Sequence, residues 1–371
     1  MTPTQDRTRA LSQEEAFARI RLLRSPNVGP VTYRQLLARF GDGLSAIAAL
    51  PDLAGRSGRP YSLAPERRVQ DEIAAVRKAG ARYLFHDSPE YPRLLAESEG
   101  APPILTCRGE ASLALQPCVA VVGARNASAA AARLARDMAQ DLAGEGWTVV
   151  SGLARGIDGA AHQGALAAGA TVGVIASGID IAYPPEHASL QEEIATRGLL
   201  LAEQPPGTEP LARHFPARNR IIAGLAAGTV VVEAAPKSGS LITARLAGEM
   251  GREIMAIPGS PADPRSHGCN QLIRDGAILV QGAQDVIELL SGFTGHPRSA
   301  LRESASEWDA GDWQETQGPV DVASYLSVAP VAVDELIRQS GASGASVQLA
   351  LLELELSGML VRHAGGRVSL G

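Results

Sequence analysis

Four short stretches of this chain carry residue types that can do chemistry. They are Gly123-Ala124-Arg125-Asn126-Ala127-Ser128, Ser151-Gly152-Leu153-Ala154-Arg155-Gly156-Ile157-Asp158, Phe215-Pro216-Ala217-Arg218-Asn219-Arg220 and Pro236-Lys237-Ser238-Gly239-Ser240. Each joins small residues, a hydroxyl or amide, and at least one cation. Glycine lets a ligand approach the backbone, a helix amino terminus offers N–H groups, and Arg or Lys adds charge. Together these make an anion site, most simply for phosphate. Singly, each stretch has a plainer reading. Gly152 and Gly156 tighten a strand-to-helix turn, Ser240 caps a helix, and Arg218 and Arg220 pair with Glu203 or Glu209. An aromatic among arginines, Phe215, suits stacking on an unpaired base; burial in the core is its other reading. Asp158 and His162 stand four apart on one helix, as an acid and a base could, or as a cap and a packed histidine.

The elements that position these stretches alternate regularly. Apolar, β-branched runs at 118–123, 147–152, 171–177, 199–203, 229–234, 253–259 and 277–280 read as strands buried on both faces. Helical segments at 127–144, 157–168, 187–197, 218–227, 240–250 and 269–275 lie between them. Such alternation implies α/β architecture with a doubly wound parallel sheet over 117–290. The four stretches follow strands at their carboxyl ends, where open sheets bind ligands.

Composition narrows the classes. The 371 residues are 45% hydrophobic and 20% charged, with a net charge of −6. Two or three domains fit that length, and a wholesale basic coat for nucleic acid is excluded, so such a site must be local. Lys78 and Lys237 are the only lysines among 34 basic residues. Cys107, Cys118 and Cys269 form no CxxC pair, so neither a disulfide framework nor a zinc knuckle is expected, and a reducing cytoplasm fits. No HExxH occurs and no metal is expected. The first residues, MTPTQDRTRALSQEE, lack a signal-peptide core, and no apolar run approaches membrane-spanning length. No GxGxxG follows the first strand and no GxxxxGK[ST] occurs. Neither a dinucleotide cofactor nor a P-loop is therefore expected; the reading holds no cofactor at all.

The flanks are different. Residues 1–85 read as a helical domain: two helices over 14–50 around Pro26-Asn27-Val28-Gly29-Pro30, then a helix over 65–79. The Asn27-Val28-Gly29 turn resembles that of a helix-hairpin-helix, which can give backbone N–H groups to a phosphate; a plain helical hairpin is the alternative. Residues 86–116, rich in Pro and Gly, read as a connector. Residues 291–319 are acidic, Gly/Ser-rich and aperiodic, a linker in which Trp308 and Trp313 serve as anchors. Residues 320–371 read as helices at 321–327, 331–339 and 344–357 followed by a hairpin, a winged helix. Its third helix has no Lys or Arg and carries Glu353 and Glu355, so a protein-contact or regulatory role is favoured over duplex reading.

GARNAS, SGLARGIDGAAHQGAL, GIDIAYPPEH, FPARNRIIAGL, VVEAAPKSGSLITA, GREIMAIPG and SHGCNQLI occur in this order over about 120–280. This series closely resembles the DprA/Smf (DNA processing protein A) family, strongly over about 90–290 and loosely outside. The resemblance implies an extended Rossmann-like domain between a SAM-like or helix-hairpin-helix-like domain and a winged helix. It implies a protein without catalytic turnover that binds single-stranded DNA in natural transformation, protects it, and loads the RecA recombinase while displacing single-strand-binding protein. The DNA-contacting positions would be Arg125, the Arg155 loop, Phe215–Arg220 and Lys237–Ser240. A homodimer through the Rossmann-like domain is also implied, with Asn270, Leu272, Ile273 and Leu279 as candidates. Ala124 stands where the family commonly has Ser, Ala176-Ser177 where Gly-Thr is usual, and His187 where Asn is usual. Two other readings remain: a nucleotide-processing enzyme using Asp158, and a scaffold whose site is vestigial.

Overall fold

The computed structural model describes residues 11–55, 61–98, 100–292, 321–363 and 365–371. The linker with Trp308 and Trp313 falls almost wholly outside them. The chain divides into two compact units, one built from Asp71–Ala300 and the other from Leu11–Gln70 with Leu301–Gly371.

The amino-terminal helices are α1 (Gln13–Arg24), α2 (Pro30–Phe40), α3 (Gly43–Gly55) and α4 (Glu66–Lys78). Ser12 caps α1 by accepting from the Glu15 N–H at 3.1 Å, and Pro30 opens α2, where its missing N–H costs nothing. Three helices fill the span read as two. The chain breaks at Gly41, whose φ of 84° an L side chain resists. Glu15 ties the new helix down, bonding Arg19 at 2.5 Å and the Gly43 N–H at 2.8 Å.

Then follow β1 (Arg82–Phe85), α5 (Arg93–Ala96), β2 (Ile104–Gly109), β3 (Cys118–Val122), α6 (Ala129–Gly144), β4 (Thr148–Ser151), α7 (Ile157–Ala168), β5 (Thr171–Gly178), α8 (Ala188–Arg197) and β6 (Leu199–Gln204). After them come α9 (His214–Leu225), β7 (Gly228–Val231), α10 (Gly239–Glu249), β8 (Glu253–Ala256), α11 (His267–Arg274), β9 (Ile278–Leu279) and α12 (Ala283–Leu290). The nine strands run in the order β1-β2-β6-β5-β4-β3-β7-β8-β9. All seven from β6 to β9 are parallel, as the alternation requires. The expected connector is not merely a connector: its Ile104–Gly109 pairs antiparallel with β6, and β1 pairs antiparallel with β2.

In β3, Val119 and Val121 pack with α6, α7 and α12, while Cys118, Ala120 and Val122 face α9 and α10. Burial on both faces explains the unbroken apolar run. The order passes from β3 to β4 on one side and to β7 on the other, so the switch point lies at the carboxyl end of β3.

The carboxyl-terminal part has β10 (Val331–Ala332), α13 (Val333–Ser340), α14 (Gly344–Leu356), β11 (Leu360–His363) and β12 (Arg367–Leu370). The expected helix at 321–327 is only a 3-10 turn, Val322–Tyr325, and the sheet order is β10-β12-β11. Within the same unit, α14 packs against α3. A Gly358-centred cap pairs the carbonyls of Glu353, Leu354 and Glu355 with the N–H groups of residues 357–359. The Leu356 carbonyl is taken by the Asn27 side-chain amide at 2.8 Å. Leu352 and Leu356 are buried yet lie outside the winged-helix core. The expected hairpin turn therefore caps a helix of this chain, which gives Asn27 its left-handed φ of 60° a structural use.

Candidate nucleic-acid interface

Two clefts open at the switch point. The larger, about 470 Å³, is lined by Gly123–Asn126, Asp158, one face of α9 and the turn Ala235–Ser240. The smaller, about 330 Å³, shares Arg125, Asn126, Ala154, Phe215 and Arg218 with it and adds Arg155, Tyr183 and Pro184. At the larger cleft stands the amino terminus of α10, capped by Ser238, whose hydroxyl lies 2.8 Å from that of Ser240. Ser238, not Ser240, is the cap.

The helix expected from 218 starts four residues earlier, so Phe215 joins Arg218 and Asn219 on it. α9 begins at His214, with Pro216 in its first turn, where proline is tolerated. Helical spacing then sends 215, 218, 219 and 222 to the cleft and turns Arg220 away. Arg220 bonds Glu203 at 2.5 Å and lines neither cleft. Arg218 is 6% exposed. Its Nη1 donates to the Val174 carbonyl at 2.6 Å and also to the Gly152 carbonyl, and burial pushes its pKa down to about 10. A Cβ at Gly152 would lie 2.3 Å from that Nη1, so a side chain there would push the guanidinium off its two carbonyls.

Several expected contact residues brace the backbone instead. Ser151 is fully buried and donates to the Val121 carbonyl at 2.6 Å. Ser128 caps α6 and donates to Glu233 at 2.7 Å. Gly156, at φ 74°, brings its backbone against the Ala124 carbonyl, which a Cβ would meet at 2.3 Å. Three cations remain at the surface: Arg125, Lys237 and Arg155. Arg125 and Lys237 have no carboxylate partner among the described residues, whereas Arg155 pairs with Glu186.

The acid–base pair is not assembled. Asp158 accepts from the N–H groups of Gly152 and Ala154 at 3.2 and 3.4 Å. Burial raises its pKa against the pull of Arg218. His162 is fully buried, and its Nδ1 is 2.7 Å from the Thr171 hydroxyl. That hydroxyl donates onward to the Val149 carbonyl, so His162 is the donor, and burial pushes its pKa down to about 3.

Spacing alone missed three neighbours. Tyr183 lies 5.7 Å, ring to ring, from Phe215. Arg265 lines the larger cleft, bonded to Asp263 at 2.9 Å. Glu233 is the buried anchor of Ser128. Tyr183 could have been found, because it stands in the GIDIAYPPEH segment beside Pro184. Arg125 completes the group, its guanidinium 4.8 Å from the Phe215 ring centre.

Of the dimer candidates, Asn270 is turned inward, its side chain bonding the Gly259 N–H and carbonyl. Leu272 and Ile273 pack half-buried on the main core. Leu279, on edge strand β9, is exposed together with Ile278.

Comparison with known proteins gives three family matches. The DNA recombination-mediator protein A family matches residues 82–291, the DprA-like N-terminal HHH domain 13–75, and the DprA winged helix domain 314–366. The protein Smf of Synechocystis is 32% identical, over 92% of this chain and 95% of its own. The crystal structure of DNA processing protein A from Streptococcus pneumoniae aligns with TM-score 0.63 at 37% identity, covering 76% of this chain and 98% of that one. The Helicobacter pylori protein of the same name, whose structure is described for its single-stranded DNA binding mode, aligns with TM-score 0.52 at 30% identity, covering 57% and 95%.

Proposed function

The chain belongs to the DNA recombination-mediator protein A (DprA/Smf) family, and from that premise we propose that it binds single-stranded DNA at the switch-point clefts during DNA processing for transformation. The observation that carries the reading is the convergence of unpaired cations, a helix amino terminus and exposed aromatic surface on one sheet edge of an acidic protein. Phosphates meet Arg125, Lys237 and the amino terminus of α10, and Arg155 joins by exchanging Glu186 for phosphate. Gly123, Gly239, Ser238 and Ser240 shape that surface. Arg218 and Asn219 hold it from beneath, Asn219 by its bond to the Gly239 carbonyl at 3.3 Å. Bases are held by stacking, which is tolerant of sequence.

Binding is the whole of the activity in this reading. His162 donates to Thr171 and burial keeps it neutral, so it is not poised as a base beside Asp158. The chain delivers strands to the RecA recombinase and acts as a homodimer, with the exposed edge at Ile278 and Leu279 as the self-complementary patch. The three buried free cysteines suit the cytoplasm, and no helix among the described residues is long and apolar enough to cross a membrane. The delivery step is tested with RecA ATPase activity on a strand coated with single-strand-binding protein. Adding the chain should shorten the lag; an unchanged lag would refute the loading role.

A further inference from the structure

The exposed aromatic surface of the smaller cleft belongs to Tyr183 more than to Phe215. Tyr183 is 42% exposed. Phe215 is half-buried, with Arg125 over its ring and Tyr183 inclined at 55° beside it. A base arriving at Phe215 would have to displace one of these neighbours. At Tyr183 it would displace only water.

The backbone under Tyr183 is held firmly. Pro184 beside it is buried, and its carbonyl accepts from the His187 N–H at 2.9 Å. The Ile181 carbonyl accepts from Ser177 at 2.8 Å and Gln191 at 3.3 Å, and the His187 ring bonds the Leu153 carbonyl at 2.9 Å. A large aromatic left in water on a rigid support loses little freedom when something covers it. The Tyr183 hydroxyl has no hydrogen-bond partner among the described residues, so a structural bond does not explain its position. Arg125 and Arg155 line the same cleft, so a base resting on the ring would have its backbone phosphates within reach of cations.

We propose that Tyr183 is the stacking platform for a DNA base, with Phe215 beside it as its support. This rests on the single-stranded DNA reading of the clefts. The base is held by its π-face, so any of the four fits, and the hydroxyl is not needed.

The test uses the full chain and fluorescence anisotropy with two oligonucleotides of equal length, one ordinary single strand and one abasic at every position. Tyr183→Ala should weaken binding to the ordinary strand about 5- to 140-fold, the range of a lost stacking contact. Tyr183→Phe should restore it to within about twofold of the native chain, since stacking needs only the ring. Binding to the abasic strand should be the same for all three proteins, and so should the melting temperature. If the native chain binds the ordinary strand but Tyr183→Ala binds it equally well, the platform is elsewhere and the DNA reading stands. Equal losses on both strands would show that Tyr183 serves the fold, overturning the platform. No binding of either strand by the native chain would overturn the DNA reading and the platform with it.

Discussion

Replacing Arg125 by alanine should change not only the affinity for single-stranded DNA but its dependence on salt. Arg125 is exposed, lines both clefts and has no carboxylate partner among the described residues. A phosphate there makes a charge-assisted bond in an open site, at the low end of such contacts, about 1.5 kcal/mol or roughly tenfold. Each phosphate neutralised on a single strand contributes about 0.7 to the slope of log affinity against log salt. The unpaired Arg125 and Lys237 alone predict a slope near −1.4; if Arg155 and Arg265 also release their carboxylates, it reaches about −2.8. Arg125→Ala should lower its magnitude by about 0.7. Between 50 and 200 mM salt that shrinks the deficit of the variant about 2.6-fold. Arg245→Ala is the control: it removes the same charge from the exposed face of α10, where Arg245 pairs with Glu249 away from both clefts. Its slope should match the native chain. Equal slope changes for Arg125→Ala and Arg245→Ala would mean that affinity follows overall charge, and the local site would be refuted.

Other outcomes follow from the same geometry. Glu186→Gln should free Arg155 and tighten single-strand binding by about two- to fivefold, the worth of an exposed ion pair; weaker binding would show that the pair positions Arg155 for the ligand. Buried His162 takes up its proton only near pH 3 when folded, against about 6.5 when unfolded. The unfolded chain therefore binds more protons in that window, and stability falls as pH drops, by up to about 1.4 kcal/mol per unit. Melting temperatures from pH 7 to 5 should show this loss, and His162→Gln should reduce it. Leu279→Glu, on the exposed edge, should halve the sedimenting mass at micromolar concentration, whereas Ile273→Glu should also destabilise the core it packs against. Deleting residues 295–371 should leave single-strand affinity within about threefold, or ~0.65 kcal/mol, because α14 is docked on α3 and carries Glu353 and Glu355. A tenfold loss would place the winged helix in the DNA site.

The parallel sheet was legible because strands buried on both faces must be apolar throughout and the helices between them must alternate with them. β2 was hidden because proline and glycine surround it, and its antiparallel partner β6 is 90 residues away in the chain; nothing local announces that pairing. The start of α9 was hidden by Pro216, which marks a break in most positions but not in a first turn. The sequence offers Arg218 and Arg220 alike; the helix begun at His214 buries the first and turns the second to Glu203. Ser128 and Ser151 show the same limit. Their hydroxyls suit phosphate as well as they suit Glu233 and the Val121 carbonyl, and only the fold chooses.

The most direct measurement is a titration of the full chain with single-stranded and duplex oligonucleotides of one length across a salt series. The clefts hold an exposed aromatic that a base can cover only when it is unpaired, with few cations to hold a duplex by charge alone. The predicted result is tighter binding of the single strand at every salt concentration, little dependence on sequence, and a slope between about −1.4 and −2.8. Equal or tighter binding of the duplex would contradict it.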